Sequence, residues 1–208
     1  MYCALSFDDG PNTTTTYHML DVLKKHGVKA SFFIIGQNVT PESEKAMKAC
    51  ADYGCDIENH SWTHPFMDKM TPEQINDEVS RTTALIEEKI GRSPEFFRPP
   101  VIAGNDTMYE NISLPFICGM GCEDWVPEVS AEERVKRMLD MAYDGVIYLL
   151  HDMEGNEASV EAVDKIIPLL KEKGFEFVTV PEIFKKCGVD PKLPKALWRN
   201  ILQEETNH

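Results

Sequence analysis

Positively charged residues are scarce in this sequence. It has 21 Lys and Arg residues against 35 Asp and Glu residues, which gives 208 residues a formal net charge of -14. A surface with this balance repels nucleic-acid phosphates and anionic lipid headgroups. No apolar run approaches the roughly 20 residues that a membrane-spanning helix needs. We therefore expect neither a nucleic-acid partner nor a membrane partner.

Cysteine is also rare, with six residues and no Cys-x-x-Cys pair. So few thiols exclude a disulfide-stapled scaffold. Cys50 with Cys55, or Cys118 with Cys122, could form half of a zinc site, but small buried side chains in a reducing compartment are the more common use of such thiols. No charged and apolar leader precedes the first strand-like run. We therefore expect a cytoplasmic protein if Met1 is the natural start, and a secreted one if a leader has been removed.

Apolar runs of strand length alternate with segments of helical period along the chain. This order is typical of a parallel sheet or barrel with helices outside. Because a chain of 208 residues can bury one large core, we predict a single domain over residues 1–208. The predicted fold is α/β, a distorted (β/α)7 barrel that is similar to a TIM barrel with one strand pair missing. The strands are predicted over residues 2–7, 29–36, 56–60, 95–98, 114–120, 146–151 and 175–180, and the helices over 15–27, 40–54, 71–91, 130–145 and 157–174.

Some helix boundaries and the end of the chain carry more local signals. Thr40 precedes a proline and predicts an N-cap, because its side-chain oxygen can accept a backbone N–H of the first helical turn. Pro168 lies inside the last predicted barrel helix, where it can produce a kink. Beyond the barrel, residues 188–208 are predicted as a terminal tail, either a helix pair or a segment packed by Leu197 and Trp198.

Titratable side chains stand just past the carboxyl ends of five predicted strands. In barrels the loops at that face converge on one mouth, and catalytic groups lie there. Five separate strand ends therefore deliver charged or titratable groups to the same rim. They are Asp8 and Asp9 after the first strand, His60 and His64 after the third, Arg98 after the fourth, Asp124 after the fifth and His151 after the sixth.

The segment HSWTH, from His60 to His64, holds two histidines at a spacing that suits metal binding. Two neutral imidazoles and one carboxylate leave coordination positions open for water and substrate, which is typical of a catalytic metal site. The adjacent Asp8 and Asp9 could divide the work, because successive strand residues point in different directions. One carboxylate would hold the metal and the other would act as a general base toward water. Taken alone, the histidines could be surface residues and the aspartates part of an exposed turn.

Five short motifs resemble those of one family. SFDDGP resembles the TFDDGP motif of the polysaccharide deacetylases, the NodB-homology group called carbohydrate esterase family 4. HSWTH is similar to that family's second motif, H[ST]xxH, and FFRPP to its third. The Asp-Trp pair at 124–125 is similar to the fourth motif, and LLHD at 149–152 to the fifth. The motifs stand in the family order over residues 6–152, and the element pattern continues the likeness to about residue 187.

The resemblance assigns roles at the metal. It implies that Asp9, His60 and His64 bind one divalent ion, usually zinc or cobalt in this family, and that Asp8 is the base. Arg98 would pair with Asp8 and keep it ionised, because an opposite charge favours the carboxylate form. Without the resemblance, a surface loop residue is the alternative interpretation of Arg98.

The resemblance also assigns the acid and the substrate contacts. It implies that His151 is the general acid, oriented and made more basic by Asp124. Without it, His151 could be a hydrogen-bonded core histidine, and Trp125 a core aromatic. The implied substrate contacts are Trp125 and Leu149 around the acetyl methyl group, Pro100, and the backbone N–H of Val101 as an oxyanion donor.

Two positions depart from the family pattern. Val101 stands where the family usually has Tyr, which keeps a backbone donor but removes an aromatic wall and a hydroxyl. Glu123 stands where the fourth motif often carries an additional aspartate. Both departures are more similar to the acetylxylan esterase members than to the chitin or peptidoglycan deacetylases.

We therefore expect metal-dependent hydrolysis of acetyl groups from an acetylated polysaccharide or oligosaccharide, with O-acetyl esters of xylan or xylo-oligosaccharides as the favoured substrate. The nearest alternative is an N-deacetylase of chitooligosaccharide or peptidoglycan. A carbohydrate-binding pseudoenzyme would keep the fold without turnover. A metalloprotein that acts on peptide or cyclic amides is a third alternative.

Overall fold

The computed structural model describes residues 1–202, and parallel strands form its centre. Every ladder between named strands is parallel in the described chain. The strands are β1 Tyr2–Asp8, β2 Ser31–Ile34, β3 Asp56–Asn59, β4 Phe116–Ile117, β5 Met120–Gly121, β6 Val146–His151, β7 Glu176–Val178 and β8 Leu197–Trp198.

β1 is the central strand, and its neighbours determine the shape of the sheet. One edge pairs with β6 from Cys3 to Asp8. The other edge pairs with β7 at its start and with β2 at its end, and β3 follows β2. Single bridges then connect Asn59 to Phe97 and Phe97 to Phe116, and β5 pairs with β6. These contacts curl the sheet into the predicted distorted α/β barrel.

Seven helices of the described chain accompany the strands. In α1, Met19, Leu20 and Leu23 form a buried stripe that belongs to the same core as Leu5 and Phe7 of β1. Within residues 1–202, no helix has the length and apolar character needed to cross a membrane. The helices are α1 Thr15–His26, α2 Ser43–Tyr53, α3 Pro72–Ile90, α4 Asp106–Asn111, α5 Ala131–Asp140, α6 Glu157–Glu172 and α7 Val180–Cys187.

The fourth and fifth predicted strands are wrong in detail. Only Phe97 of residues 95–98 makes strand-like bridges. The predicted strand 114–120 is split into β4 and β5, because the Trp198 carbonyl accepts the N–H groups of Cys118 (2.7 Å) and Gly119 (3.1 Å). Gly119 also has a left-handed φ of 85°, which breaks the extended backbone. The tail therefore interrupts the strand through a contact that is distant in sequence.

The end of the barrel also differs from the prediction. The seventh strand stops at Val178, because Thr179 and Glu182 form a capping box that starts the unpredicted helix α7. Within 188–202 the structure contains β8 and no helix, so of the two predicted tails it has the packed one. Trp198 is buried and packs against Phe184, with ring centroids 5.2 Å apart. The rest of the predicted tail, 203–208, lies outside the described residues.

Three helix predictions need shorter corrections. α2 begins at Ser43 and not beside Thr40, whose hydroxyl accepts the N–H groups of Glu42 and Ser43 in the preceding turn. α5 ends at Asp140 and not at 145, and α4 was not predicted. α6 is continuous through Pro168.

Candidate active site

The carboxyl ends of the strands surround one cavity of about 630 Å³. Eight of the eleven predicted site residues line it. The other three, Arg98, Asp124 and Pro100, lie behind the wall and are buried. The eight that line the cavity are Asp8, Asp9, His60, His64, Val101, Trp125, Leu149 and His151.

Asp8 and Arg98 form a buried ion pair at the end of β1. The Asp8 carboxylate is 2 % exposed and the Arg98 side chain 0 %. Arg98 Nη1 donates to Asp8 Oδ1 at 2.5 Å, and Nη2 donates to Ser6 Oγ at 2.8 Å. The guanidinium also lies 4.1 Å from the centroid of the Phe33 ring. The pair satisfies two groups that would each be costly to bury alone.

Asp9 faces two histidines. Its φ of 74° is left-handed, and the Asn38 side-chain amide donates to its carbonyl oxygen at 2.8 Å. Asp9 Oδ1 lies 3.5 Å from His60 Nε2 and 3.8 Å from His64 Nε2. One ligand atom from each of these three residues lies within 4.8 Å of the other two. The three side chains are close enough to share one ion.

The tautomer of His60 suits a metal ligand. Its Nδ1 lies 2.7 Å from the Arg98 carbonyl oxygen. Because a carbonyl oxygen only accepts, Nδ1 carries a proton, and Nε2, which faces Asp9, is the ring nitrogen left to bind a metal ion. Burial, followed by the neighbouring His60, lowers the pKa of His64 below its ordinary value, so the His64 ring is neutral at neutral pH.

The chemistry of these donors fits a divalent metal ion. Asp9 Oδ1 is buried and accepts no hydrogen bond within the described chain. Burial favours the neutral form of Asp9, but the neighbouring His60, followed by His151 and His64, lowers the pKa of Asp9 overall. Two imidazole nitrogens and a carboxylate oxygen are ligands that zinc and cobalt accept, with positions left open.

Glu78 of α3 holds the turn between the two histidines. Its Oε2 accepts the backbone N–H groups of Trp62 (2.8 Å) and Thr63 (2.7 Å), and its Oε1 accepts the Thr63 hydroxyl at 2.7 Å. Glu78 is not among the site residues predicted from the sequence. The available signal was a charged side chain on the same face of the helix as the buried residues Ile75 and Ile86.

His151 and Asp124 form a second polar pair at the cavity, with His151 on the strand next to that of Asp8 and Asp124 behind it. Asp124 Oδ1 lies 2.8 Å from His151 Nδ1, and Asp124 Oδ2 accepts the His151 backbone N–H at 2.7 Å. Burial by itself would lower the pKa of His151. The hydrogen bond and charge of Asp124, with the charges of Asp8 and Asp9, instead raise it from 6.5 to about 9. The imidazole therefore carries a proton at neutral pH.

A buried network orients Asp124. Ser159 Oγ donates to Asp124 Oδ2 at 2.6 Å, and Arg134 Nη1 donates to Ser159 Oγ at 3.0 Å. Arg134 is the charged member of an otherwise apolar stripe on α5. That position was the only signal for it in the sequence. Glu123 is not part of this network, because its side chain is exposed and pairs with Arg137.

The remaining predicted contacts form the apolar wall. Trp125 is 47 % exposed, and its ring centroid lies 5.5 Å from that of His151 at a steep angle. Leu149 is buried beside it. Val101 is 54 % exposed and has a left-handed φ of 51°, which is rare for a β-branched residue. Strained backbone of this kind concentrates at functional sites.

Two further features were not predicted from the sequence. A second cavity of about 540 Å³ lies on the other side of Asp9 and His64, and polar side chains such as Gln37 and Asn38 line it. Asp152 is buried behind Gly10, where a Cβ atom would come within 2.7 Å of both carboxylate oxygens. Burial, followed by the charges of Asp9 and Asp8, raises the pKa of Asp152 to about 7.

Comparison with known proteins gives consistent matches. The family model described as polysaccharide deacetylase matches residues 2–114. The chain is 45 % identical to a bifunctional xylanase/deacetylase of Pseudobutyrivibrio xylanivorans, over 95 % of this chain and 33 % of that protein. It is 35 % identical to the peptidoglycan-N-acetylglucosamine deacetylase PgdA of Listeria monocytogenes, over 87 % of this chain and 38 % of that protein. The chain thus spans less than two fifths of the length of either curated relative.

A solved structure is similar over nearly its whole length. It is a family 4 acetyl xylan esterase from Clostridium thermocellum in complex with a cobalt ion, with a TM-score of 0.93 and 38 % sequence identity. The match covers 97 % of this chain and 99 % of that chain. At this identity the similarity includes both the fold and much of the sequence that builds it.

Proposed function

Since this chain is a member of the polysaccharide deacetylase family, carbohydrate esterase family 4, we propose that it hydrolyses acetyl groups on a carbohydrate, with O-acetyl esters of xylan or xylo-oligosaccharides as its substrates. One observation carries the proposal. Asp8, held by an arginine, and His151, held by an aspartate, face the same cavity as the Asp9, His60 and His64 cluster. That arrangement supplies a base, an acid and a metal-binding cluster around one reacting centre.

Asp9, His60 and His64 would hold one divalent ion, zinc or cobalt. When bound, such an ion polarises the acetyl carbonyl and lowers the pKa of water. Asp8 lies beside this cluster, with its Oδ2 3.7 Å from His60 Nε2. Arg98 occupies Oδ1 of Asp8, so Oδ2 is the oxygen left to act on water.

The protein groups then divide the proton transfers. Asp8 accepts a proton from the attacking water, whose oxygen forms the new bond to the acetyl carbon. The backbone N–H of Val101 donates to the carbonyl oxygen as negative charge develops on it. His151 gives its proton to the departing sugar oxygen as the ester bond breaks. The products are acetic acid and a free sugar hydroxyl. The proton taken by Asp8 and the proton lost by His151 are then exchanged with solvent, and acetic acid releases its own proton to leave acetate.

The preference for an ester rests on the wall and on the relatives. Trp125 and Leu149 offer an apolar surface for the acetyl methyl group, and Val101 leaves the opposite side without an aromatic ring. Two similar proteins are named as a xylanase/deacetylase and an acetyl xylan esterase. The sugar oxygen of an ester is also a better leaving group than the sugar nitrogen of an amide, so ester hydrolysis depends less on the proton of His151.

The test is acetate release from acetylated xylan, measured with added zinc or cobalt and after chelation. Removal of the ion and the Asp8→Asn substitution are each expected to lower kcat/KM by about 10²-fold to 10⁴-fold, the usual contribution of a positioned acid or base. Asp21→Asn, an exposed aspartate on the outside of α1, is the matched control and should retain full activity. Activity that survives both chelation and Asp8→Asn would overturn the proposal.

The second candidate is an N-deacetylase, favoured by the similarity to the peptidoglycan-N-acetylglucosamine deacetylase of Listeria monocytogenes. A substrate panel of acetylated xylan, chitooligosaccharides and peptidoglycan separates the two. A clear preference for N-acetylglucosamine oligomers would reverse the choice of substrate. Sugar binding without turnover on any member would indicate a pseudoenzyme, and turnover of peptide or cyclic amides alone would indicate the third class.

A further inference from the structure

Glu78 lies outside the five family motifs, but it contacts the turn between the two histidines of the second motif. It lies in the second turn of α3, 6 % exposed, and it lines neither cavity beside Asp9 and His64. Its three side-chain hydrogen bonds all come from Trp62 and Thr63, which lie between His60 and His64. The carboxylate therefore acts on the turn that carries both histidines, and on no other part of the described chain.

That turn needs to be held. Ser61 has a φ of 69° and His64 a φ of 57°, both left-handed and without glycine. Such conformations persist only where surrounding contacts determine them. The side chains of Asn59 and Ser61 accept N–H groups at the two ends of the turn, from Ser61 (2.8 Å) and His64 (3.0 Å). Glu78 binds its middle, where the bonds are charge-assisted and therefore stronger.

A second residue of α3, Arg81, also contacts this turn. The Arg81 guanidinium lies 4.2 Å from the centroid of the Trp62 ring. The Trp62 ring also packs closely against Gly36. A Cβ atom at position 36 would come within 2.4 Å of this ring. Trp62 and Thr63 are thus fixed between α3 and the segment after β2, and the His60 and His64 rings end 4.9 Å apart.

We propose that Glu78 is a positioning residue for the metal site, which holds the turn so that both imidazoles face Asp9 before the ion binds. The inference rests on the proposed function, since it takes Asp9, His60 and His64 as the metal ligands. Glu78 touches neither the ion nor substrate in this scheme. Its removal should weaken metal binding, while an excess of metal should restore much of kcat.

The experiment measures zinc and cobalt affinity by competition with a chelator. Glu78→Gln leaves one acceptor oxygen where the carboxylate has two, and it should raise the metal Kd by about 10-fold to 100-fold, as loss of such supporting groups does. Thr63→Val removes one of the three bonds and should give a smaller rise. In the metal-free protein, hydrogen exchange at the Trp62 and Thr63 amides should be faster in Glu78→Gln.

Ile86→Val is the matched control, because Ile86 is buried on the same helix, about two turns after Glu78, and belongs to the apolar core. It tests whether general weakening of α3 is sufficient. The inference is overturned if folded Glu78→Gln binds metal as tightly as the wild type, or if Ile86→Val raises the Kd as much. Should Glu78→Gln fail to fold, Thr63→Val decides: an unchanged Kd overturns the inference. A wild-type protein that binds no ion would instead overturn the proposed function, and this inference with it.

Discussion

The two sides of the cavity use a buried aspartate in opposite ways. Asp8 and His151 are direct partners in the ladder between β1 and β6. On one side Asp8 itself faces the cavity, and a cation, Arg98, supports it from behind. On the other side Asp124 lies behind the wall and uses its charge on His151, with the neutral donor Ser159 as support. In the proposed mechanism, the partner of each aspartate therefore decides whether it acts as a base or supports an acid.

This difference has a consequence for pH. Asp124, Asp8 and Asp9 raise the pKa of His151 to about 9 against the effect of burial. The folded-state pKa is thus above the ordinary 6.5, so His151 keeps its proton through neutral pH and loses it as the pH rises through about 9. His151 thus holds its proton at neutral pH next to the Asp8–Arg98 ion pair. Activity should therefore fall on the alkaline side near the pKa of His151.

The largest effect is expected from Arg98→Met, which removes the cation from behind Asp8. Loss of one partner from a buried ion pair costs about 3–5 kcal/mol in the free energy of unfolding. Because the Asp8 carboxylate then loses its counter-charge, kcat/KM for acetylated xylan should fall by about 10²-fold to 10⁴-fold. Denaturant unfolding and acetate release measure the two effects.

Arg134→Met is the matched control for Arg98→Met. Arg134 is equally buried, but it reaches Asp124 only through Ser159 and Asn156. Its loss should destabilise the fold and lower activity much less than Arg98→Met does. Equal losses of activity in the two variants would show that the two sides do not differ as described.

The sequence predicted the groups that face the cavity better than those that support them. Asp8, Asp9, His60 and His64 stand in short segments next to strand ends, where spacing and alternation are visible. Glu78 and Ser159 act across elements, on residues that are distant in sequence, so their roles depend on packing that one sequence does not display. Each was visible only as a polar residue on a helix that buries an apolar face.

The error in the predicted strand 114–120 has the same origin, a contact with a residue that is distant in sequence. The predicted strand 114–120 is apolar enough to be continuous, but the Trp198 carbonyl takes two of its N–H groups from the far end of the chain. By contrast, Thr71 and Pro72 start α3 as predicted, because a capping box is formed by neighbours in sequence. A capping box was thus a reliable local signal at Thr71, whereas the Thr-Pro pair at 40–41 did not start α2, and a tertiary hydrogen bond interrupted the predicted strand.

Asp124→Asn should have the second largest effect, and it tests the acid side directly. Without the charge of Asp124, the pKa of His151 should fall from about 9 toward 6.5. The alkaline limb of the kcat–pH profile should shift to lower pH with this pKa. At pH 8 the rate should therefore fall by about tenfold to a hundredfold. A pH profile of acetate release from acetylated xylan measures the shift.

The leaving group provides the control for this variant. 4-Nitrophenyl acetate releases an anion that needs no proton, so Asp124→Asn should change its hydrolysis little. An alkaline limb that stays in place on acetylated xylan would contradict the role of Asp124. Equal losses on both substrates would contradict the role of His151 as an acid.

The smallest effect should come from Trp125→Ala, which tests how the two sides treat the sugar. This exposed ring lies beside His151 in the first cavity. The second cavity, which Asp9 and His64 also line, has mainly polar side chains. Because an aromatic contact of this kind contributes about 0.5–1.5 kcal/mol, KM for acetylated xylo-oligosaccharides should rise about twofold to tenfold with little change in kcat. Phe66→Ala removes an exposed aromatic ring that lines neither cavity and should leave KM unchanged. A fall in kcat with constant KM would instead mean that Trp125 serves His151 and not the substrate.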